Sequence, residues 1–185
     1  MLESLVAVLV FSFGAIGATG MQVLATQANF EATQRTQAVY FATDIIERML
    51  NNPDGIDSYD SSGDSRWTIV GAGSIGVEPT PNCDTSHCSA AQQATHDLWS
   101  WEQALDGSAI TTEDDTAVGG MASPTGCIKH SGGGRIEVAI AWRGRSSMTD
   151  TNTGPGCTVA DRYGDDGEYR RVLHLRTFIA DLTQN

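Results

Sequence analysis

The sequence predicts an α+β fold in which a long N-terminal helix packs on a small antiparallel β-sheet, with one short extra helix. Three observations support it: an apolar run that continues into an amphipathic stretch, a helix-capping signal near residue 89, and alternating apolar residues in the last third. Three parts are expected. Residues 1–25 form the apolar half of the helix, 26–52 its amphipathic half, and 53–185 a globular head that contains the cysteines.

The N-terminal stretch has the length and composition of a membrane-spanning helix. Taken as a helix, residues 1–25 extend over roughly 37 Å at about 1.5 Å per residue, which exceeds the ~30 Å hydrocarbon core of a bilayer. Between Leu5 and Ala18 the only strongly polar residue is Ser12, and no basic residue precedes Arg35.

Glu3 is the one charged side chain at the start of this apolar run. An ionised side chain well inside a bilayer costs about 2.5 to 3.5 kcal/mol on insertion scales, so we expect Glu3 to have a specific partner. A cleaved secretory signal peptide would have a basic residue where Glu3 stands. The segment is therefore expected to remain in the mature protein.

The apolar run continues into an amphipathic stretch with no proline before Pro53. The sequence NNPDG at residues 51–55 is a dense stop signal. The sequence therefore predicts one helix over residues 2 to about 51, whose second half packs on its own domain. The apolar stripe of that half, at spacings of three and four, consists of Phe30, Gln34, Ala38, Phe41, Ile45 and Met49.

Residues 54–82 are rich in Gly, Ser, Asp and Pro and are predicted to be a loop around one strand-like island, Arg66–Gly73. Gly71, Gly73 and Gly76 match the G-x-G-x-x-G spacing of dinucleotide-binding sites. The context does not fit, because two prolines follow where a helix would have to begin. We interpret the glycines as part of the loop.

A short helix is predicted between two terminal signals. Ser89 and Gln92 form an S-x-x-Q capping box, and Gly107 provides a C-terminal stop. His96 is expected to be a surface histidine. The apolar face of this helix consists of Ala94, Leu98, Trp101 and Leu105.

The last third changes to a period of two. Arg135–Arg145 alternates large apolar residues with Glu or Ala, as a half-buried strand does. Ser131–Gly134 is predicted to turn the chain back from a strand around Cys127–Lys129. Tyr169–Asp181 is predicted to be a further strand, after a long polar loop at residues 146–167. These segments indicate a small antiparallel sheet.

An even number of cysteines, all beyond the apolar segment, favours disulfide bonds formed in an oxidising compartment. Three pairings are possible in principle, and the nearest-neighbour choice joins the first cysteine to the second and the third to the fourth. This places the C-terminal part of the chain outside the cytoplasm. The four residues are Cys83, Cys88, Cys127 and Cys157.

Other classes of site have little support. Cys83, His87, Cys88 and His96 form a loose cluster that could bind zinc, but neither C-x-x-C nor H-x₃-H spacing is present. A net charge of −12 argues against a phosphate-binding surface and hence against nucleic acid. No G-x-S-x-G, H-E-x-x-H or P-loop motif occurs, so no enzyme and no cofactor is predicted.

The N-terminal sequence MLESLVAVLVFSFGAIG resembles the type IV pilin family, whose N-terminus has an L-x-E-x-hydrophobic core that this stretch looks like. Here that core comprises Leu2, Glu3 and the residues that follow. The whole chain is closest in pattern to the PilV-type minor pilins, also called type IV pilus modification proteins. Three further segments contribute to this likeness: Ala91–Leu105, the strand at Gly126–Cys127, and Arg135–Gly144.

The resemblance implies a type IV pilin fold and a role for Glu3, which would pair with the N-terminal amine of a neighbouring subunit. It also implies cleavage by a prepilin peptidase, an inner-membrane stage with a periplasmic head, and later residence in an extracellular pilus fibre or tip. The expected partners are other minor pilins and the major pilin. Pilins usually have this acid at the fifth mature position, so the numbering is expected to begin about two residues inside the mature protein.

The leading function is a minor pilin that helps to initiate or cap pilus assembly. One alternative is a minor pseudopilin of a type II secretion system. Another is a pilus-tip adhesin or receptor-binding module whose acidic loops bind calcium, although neither loop fits the EF-hand spacing and a solvated loop is favoured. The acidic residues concerned are Asp57, Asp60 and Asp64 in one loop, and Asp161, Asp165, Asp166 and Glu168 in the other.

Overall fold

The computed structural model describes residues 2–60, 66–108, 110–114, 119–148, 156–157, 159 and 161–180. Its elements are helix α1 (Leu2–Asn51), a 3₁₀ turn (Pro53–Gly55), helix α2 (Ile56–Tyr59), strand β1 (Thr68–Val70), helix α3 (Ala90–Asp106), and strands β2 (Thr125–His130), β3 (Arg135–Arg143) and β4 (Arg170–Phe178). The chain divides into two compact units, Met1–Thr33 and Gln34–Asn185.

The first unit is helical in all of its described residues, and the side chains from Leu2 to Asn29 are exposed. An 18-residue window in α1 has a mean hydropathy of 1.9, and none of that window is buried. By length and composition, α1 is therefore able to cross a membrane, as predicted.

The second unit contains a four-stranded antiparallel sheet in the order β1-β2-β3-β4. Each strand pairs with the next strand along the chain, and α3 lies in the connection between β1 and β2. Cys127 in β2 lies opposite Ala139 in β3, and Ala139 lies opposite His174 in β4. The three predicted strands and the strand-like island are all present, although β4 is shorter than predicted.

The main core lies between one face of this sheet, α3, and the part of α1 that belongs to the second unit. The predicted stripe of α1 is confirmed there: Ala38, Ile45 and Met49 are fully buried, and Gln34 is nearly so. Ala42, absent from the predicted stripe, is fully buried too. The Nε1 atom of Trp101 in α3 donates to the Phe41 carbonyl at 2.9 Å, which fixes α3 against α1.

Strand β3 is buried on both faces, which corrects the prediction of a half-buried strand. Its large apolar residues face the main core, whereas Ala139 and Ala141 lie in a second small core on the outer face. The alanines leave room for Tyr163, whose hydroxyl donates to Thr125 Oγ1 at 2.7 Å. The second core comprises Cys127, Ala139, Ala141, Cys157 and Tyr163.

The other end of the outer face has a row of charged side chains. Lys129, Glu137 and Arg176 lie opposite one another on β2, β3 and β4. Glu137 Oε2 accepts from Arg176 Nε at 3.1 Å and lies 2.8 Å from His174 Nε2. Burial raises the pKa of Glu137, but the hydrogen bonds from His174 and Arg176 outweigh it, so the net pKa is below the usual value.

Helix α2 lies within the stretch that was predicted to be a loop. It has only four residues, which is too short to produce a periodic signal in the sequence. Its residues Ile56 and Tyr59 are buried, and the Tyr59 hydroxyl donates to Asp97 in α3. A single turn of helix therefore covers part of the core.

Candidate functional site

The candidate functional site is the exposed N-terminal segment of α1, residues 2–24. By its length and apolar composition, this helical segment is long enough to cross the hydrocarbon core of a membrane. Every backbone group inside a helix is paired within the helix, which is the condition for placing it in lipid. Its exposed large apolar residues are Leu2, Leu5, Val6, Val8, Leu9, Val10, Phe11, Phe13, Ile16, Met21, Val23 and Leu24.

Glu3 lies in the first turn of α1, and its side chain is exposed. No other acidic or basic residue occurs before Glu31. A carboxylate at a helix N-terminus is favoured by the helix dipole, because that end of the helix is partly positive. The segment thus presents a long apolar surface with one negative charge near its beginning.

Small residues interrupt this apolar surface. A Cβ atom added at Gly14, Gly17 or Gly20 would have no atom within 4 Å, so no contact in the monomer requires these glycines. Glycine inside a helix costs about 1 kcal/mol relative to alanine. In membrane helices such residues let a second helix approach closely, as in the spacing of Gly14 and Ala18.

The head contains two disulfide bonds, Cys83–Cys88 and Cys127–Cys157, and this is the nearest-neighbour pairing of the three possible ones. The first closes a short loop just before α3. The second joins β2 to the loop that precedes β4, and both of its cysteines are fully buried. Cys157 thereby holds the second core on the outer face of β3.

The loose Cys/His cluster that could bind zinc in the sequence does not form a zinc site in the described residues. Cys83 and Cys88 are bonded to each other, so their sulfur atoms are not thiolate ligands. Among the residues that the structure describes, no group of three or more His, Cys, Asp or Glu side chains is arranged for a metal ion.

The prediction that His96 is a surface residue is wrong, because only 3% of it is exposed. The Asp84 carboxylate, from the Cys83–Cys88 loop, lies 3.8 Å from His96 Nε2, and the Trp99 ring lies 5.6 Å from the imidazole. The disulfide loop covers a helix face that the local pattern assigns to solvent.

Glu102 is a buried carboxylate that no sequence motif indicates. It lies four residues after Leu98 and therefore on the same face of α3. Its carboxylate accepts hydrogen bonds from the backbone N–H groups of Gly71, Ser74, Ile75 and Gly76 at 2.7 to 3.2 Å, and from the Ser74 hydroxyl at 2.7 Å. The G-x-G-x-x-G stretch is a loop, as predicted, and its backbone binds an acid of the same chain.

The candidate calcium residues do not converge on a common point in the described parts of the chain. Asp57 Oδ1 lies 3.0 Å from His130 Nδ1, whereas Asp60 points inward and accepts from Thr68 Oγ1 at 2.8 Å. Asp64 lies outside the described residues. In the second loop, Glu168 Oε2 accepts from the Asp166 N–H at 3.3 Å.

A second buried acid, Asp97 in α3, interacts with side chains of α1 and α2. It accepts from the Tyr59 hydroxyl and from Gln93 Nε2 at 2.9 Å, and Arg48 Nη1 lies 3.5 Å away. Burial raises the pKa of Tyr59, and the hydrogen bond to Asp97 adds to that effect, so the phenol remains a donor at neutral pH. The network therefore connects side chains of α1, α2 and α3.

The comparison with known proteins gives one match. The family model described as Tt1218-like, type IV pilin Tt1218, matches residues 20–99. No curated protein and no solved structure matches the chain. The long apolar N-terminal helix, the four-stranded antiparallel sheet and the extra helix are consistent with the type IV pilin α+β fold. The family match covers less than half of the chain, so it shows a likeness to the type IV pilins over residues 20–99.

Proposed function

We propose that this protein is a minor pilin, a structural subunit that helps to initiate or cap type IV pilus assembly. The observation that supports the proposal best is the exposure of a membrane-length apolar segment with one acid, Glu3, near its start. In this proposal residues 1–25 are the membrane and assembly half of α1, 26–52 its amphipathic half, and 53–185 the head. The chain has a structural role and no catalytic one.

The proposed partner of Glu3 is the N-terminal amine of a neighbouring subunit. Inside a dry bundle of helices, opposite charges attract far more strongly than in water. A lone buried carboxylate is costly, and a partner of opposite charge reduces that cost. No basic residue of the first unit can serve, because the first one in the chain is Arg35.

The same segment determines the proposed location of the protein. Before assembly α1 spans the inner membrane, and the head with its two disulfide bonds lies in the periplasm. After cleavage by a prepilin peptidase and extraction, the subunit joins other minor pilins and the major pilin in the fibre or at its tip. The helix is thus first a membrane anchor and then an assembly surface.

The experiment compares Glu3→Leu with the wild type in piliated cells. We expect the variant to insert into the inner membrane normally, because leucine suits a bilayer better than an acid. We expect its amount in sheared surface pili to fall at least about tenfold, which corresponds to the loss of one buried ion pair. Immunoblots of the membrane and sheared fractions measure both quantities.

The matched control is Glu47→Leu, which removes an exposed acid from α1 outside the apolar segment. We expect this control to reach the pili in normal amounts. Normal incorporation of Glu3→Leu would contradict the proposed pairing. Intact-mass analysis of the mature protein shows whether a leader is cleaved and where the mature chain of this protein begins.

Two alternatives use the same architecture. A minor pseudopilin of a type II secretion system would have the same apolar segment. Such a protein would be missing from sheared surface pili, and its deletion would impair secretion.

A pilus-tip adhesin would use the loops of the head. Calorimetric titration of the purified protein with calcium tests the calcium-dependent form of that alternative, which requires measurable heat of binding.

A further inference from the structure

One side of the first unit of α1 has polar or small residues at every turn. Starting at residue 12, they recur at alternating spacings of three and four, the a and d positions of a heptad repeat. All of them are exposed, and none is charged. We call this set the polar seam, and it comprises Ser12, Ala15, Thr19, Gln22, Thr26, Asn29 and Thr33.

The spacing determines how a second helix could pack on the polar seam. Seven residues fall about 20° short of two full turns, so a strict seven-residue repeat stays in contact with a neighbour only in a left-handed crossing. Helices that pack in this way cross at about 20°. The seam therefore fits a nearly parallel helix along its whole length.

The hydroxyl groups of the seam donate their hydrogen atoms within the helix. Ser12 donates to the Val8 carbonyl at 2.7 Å, and Thr26 donates to the Gln22 carbonyl at 2.8 Å. Thr19 and Thr33 make equivalent bonds one turn back along α1. Each hydroxyl oxygen therefore presents only acceptor lone pairs to a neighbouring helix.

The two amides provide the missing donors. Neither the Gln22 nor the Asn29 side chain forms a hydrogen bond to any other residue that the structure describes. Each amide has two N–H donors and one oxygen acceptor, so it can bond to the same group on a second copy or to a hydroxyl oxygen. Gln22 also lies within the residues expected to span the membrane, where an unpaired amide is costly.

We propose that the polar seam binds a second copy of this chain while both copies are anchored in the membrane, as a parallel, in-register helix pair. The self-complementary amides favour a second copy, because Gln22 then meets Gln22 and Asn29 meets Asn29. The absence of charge on the seam means that identical faces do not repel. Insertion in one direction makes the pair parallel. This inference rests on the proposed membrane stage of the protein and identifies its partner there.

Cysteine cross-linking in membranes tests the geometry with the full chain and its native disulfide bonds intact. Thr26→Cys lies on the seam, and Leu24→Cys lies on the opposite side of α1 with its side chain equally exposed. In-register pairing brings the two backbones at position 26 within the Cα separation of about 4.4 to 6.8 Å that a disulfide needs. Under mild oxidation, we expect at least about five times more covalent dimer from Thr26→Cys.

Equal cross-linking at positions 24 and 26 would overturn the proposal, and so would the absence of dimer at position 26.

The contribution of the Gln22 amide is tested by Gln22→Leu in the Thr26→Cys background. We expect about threefold less dimer, the effect of one interhelical hydrogen bond. Gln27→Leu is the matched control, because it removes an equally exposed glutamine that lies off the seam. Unchanged dimer in Gln22→Leu would contradict the role of the amide.

This test is independent of the pairing of Glu3. Cross-linking is measured in inner membranes of cells that make no pili, so it does not require incorporation into a fibre. If the seam does not cross-link while Glu3→Leu still blocks incorporation, only the helix pair is rejected. If the seam cross-links while Glu3→Leu is incorporated normally, only the trans-pairing of Glu3 is rejected.

Discussion

The carboxylate of Glu102 accepts a hydrogen bond from the backbone N–H of Gly71 at 2.9 Å, although 31 positions separate the two residues. Four more donors from residues 74–76 bind the same carboxylate. These bonds attach the loop after β1 to the C-terminal part of α3. A single buried side chain thus orders a glycine-rich loop that has few apolar contacts of its own.

We predict that Glu102→Gln destabilises the protein by about 2 to 4 kcal/mol. Hydrogen bonds to a charged group contribute roughly 1.5 to 3 kcal/mol, and the new amide would point N–H donors at the N–H groups of the loop. Denaturant unfolding of the detergent-solubilised full chain measures the loss. Glu47→Gln is the control, because Glu47 is exposed on α1. Equal stability of the two variants would contradict the role of Glu102.

The same carboxylate predicts a dependence of stability on pH. Burial raises the pKa of Glu102, but the hydrogen bonds from Ser74, Ile75, Gly76 and Gly71 outweigh it, so its pKa in the folded protein lies below the ordinary value of 4.5. A lowered pKa contributes stability that is present above the unfolded value and is lost as the pH falls through the folded value.

We therefore expect the difference in unfolding free energy between wild type and Glu102→Gln to be largest near pH 7. It should shrink as the pH falls below about 4.5, the pKa of a glutamate in an unfolded chain. Glu137 also titrates in this range, but it is present in both proteins and its effect cancels in the difference. A difference that stays constant from pH 7 to pH 3 would contradict this explanation.

The two disulfide bonds are predicted to differ in their effect on stability. In the chain-entropy model, a separation of 30 residues for Cys127–Cys157 corresponds to about 3.6 kcal/mol, and a separation of 5 for Cys83–Cys88 to about 2 kcal/mol. Replacing each pair by alanine and measuring unfolding compares them. The Cys127–Cys157 variant also loses part of the second core. A larger loss for Cys83–Cys88 would contradict the prediction.

Gly126 in β2 is predicted to tolerate no side chain. A Cβ atom there would lie 2.3 Å from the Trp101 ring, which is fully buried and held by its bond to Phe41. We expect Gly126→Ala to cost about 1 to 3 kcal/mol, the usual range for overpacking a core. Gly156→Ala is the control, because it would meet nothing within 4 Å. Thermal unfolding followed by circular dichroism separates the two variants.

Local sequence signals predicted most of the fold. The capping box of α3 is present in both directions, with Ser89 Oγ accepting from the Gln92 N–H and Gln92 Oε1 from the Ser89 N–H. Its apolar face, including Leu98 and Trp101, is buried as predicted. Capping and apolar periodicity depend on residues within one or two turns of the same helix, so they can be identified from a single sequence.

The buried polar residues could not be predicted in the same way. Glu102 is stable in the core only because a loop about thirty residues earlier in the chain supplies five donors, and no local pattern reports that loop. His96 is buried because the Cys83–Cys88 loop folds over it. Periodicity identifies which residues share a helix face, but tertiary contacts decide which segment covers that face.

Ala139 and Ala141 lie in the second core at one end of the outer face of the sheet, and the charged row lies at the other end. At their end, any larger side chain would displace Tyr163 or strain the Cys127–Cys157 bridge, so few substitutions can be accepted during evolution. At the other end, the row of Lys129, Glu137 and Arg176 can change charge and size without loss of the core. Homologous chains should therefore preserve small residues at the first end and vary more at the second.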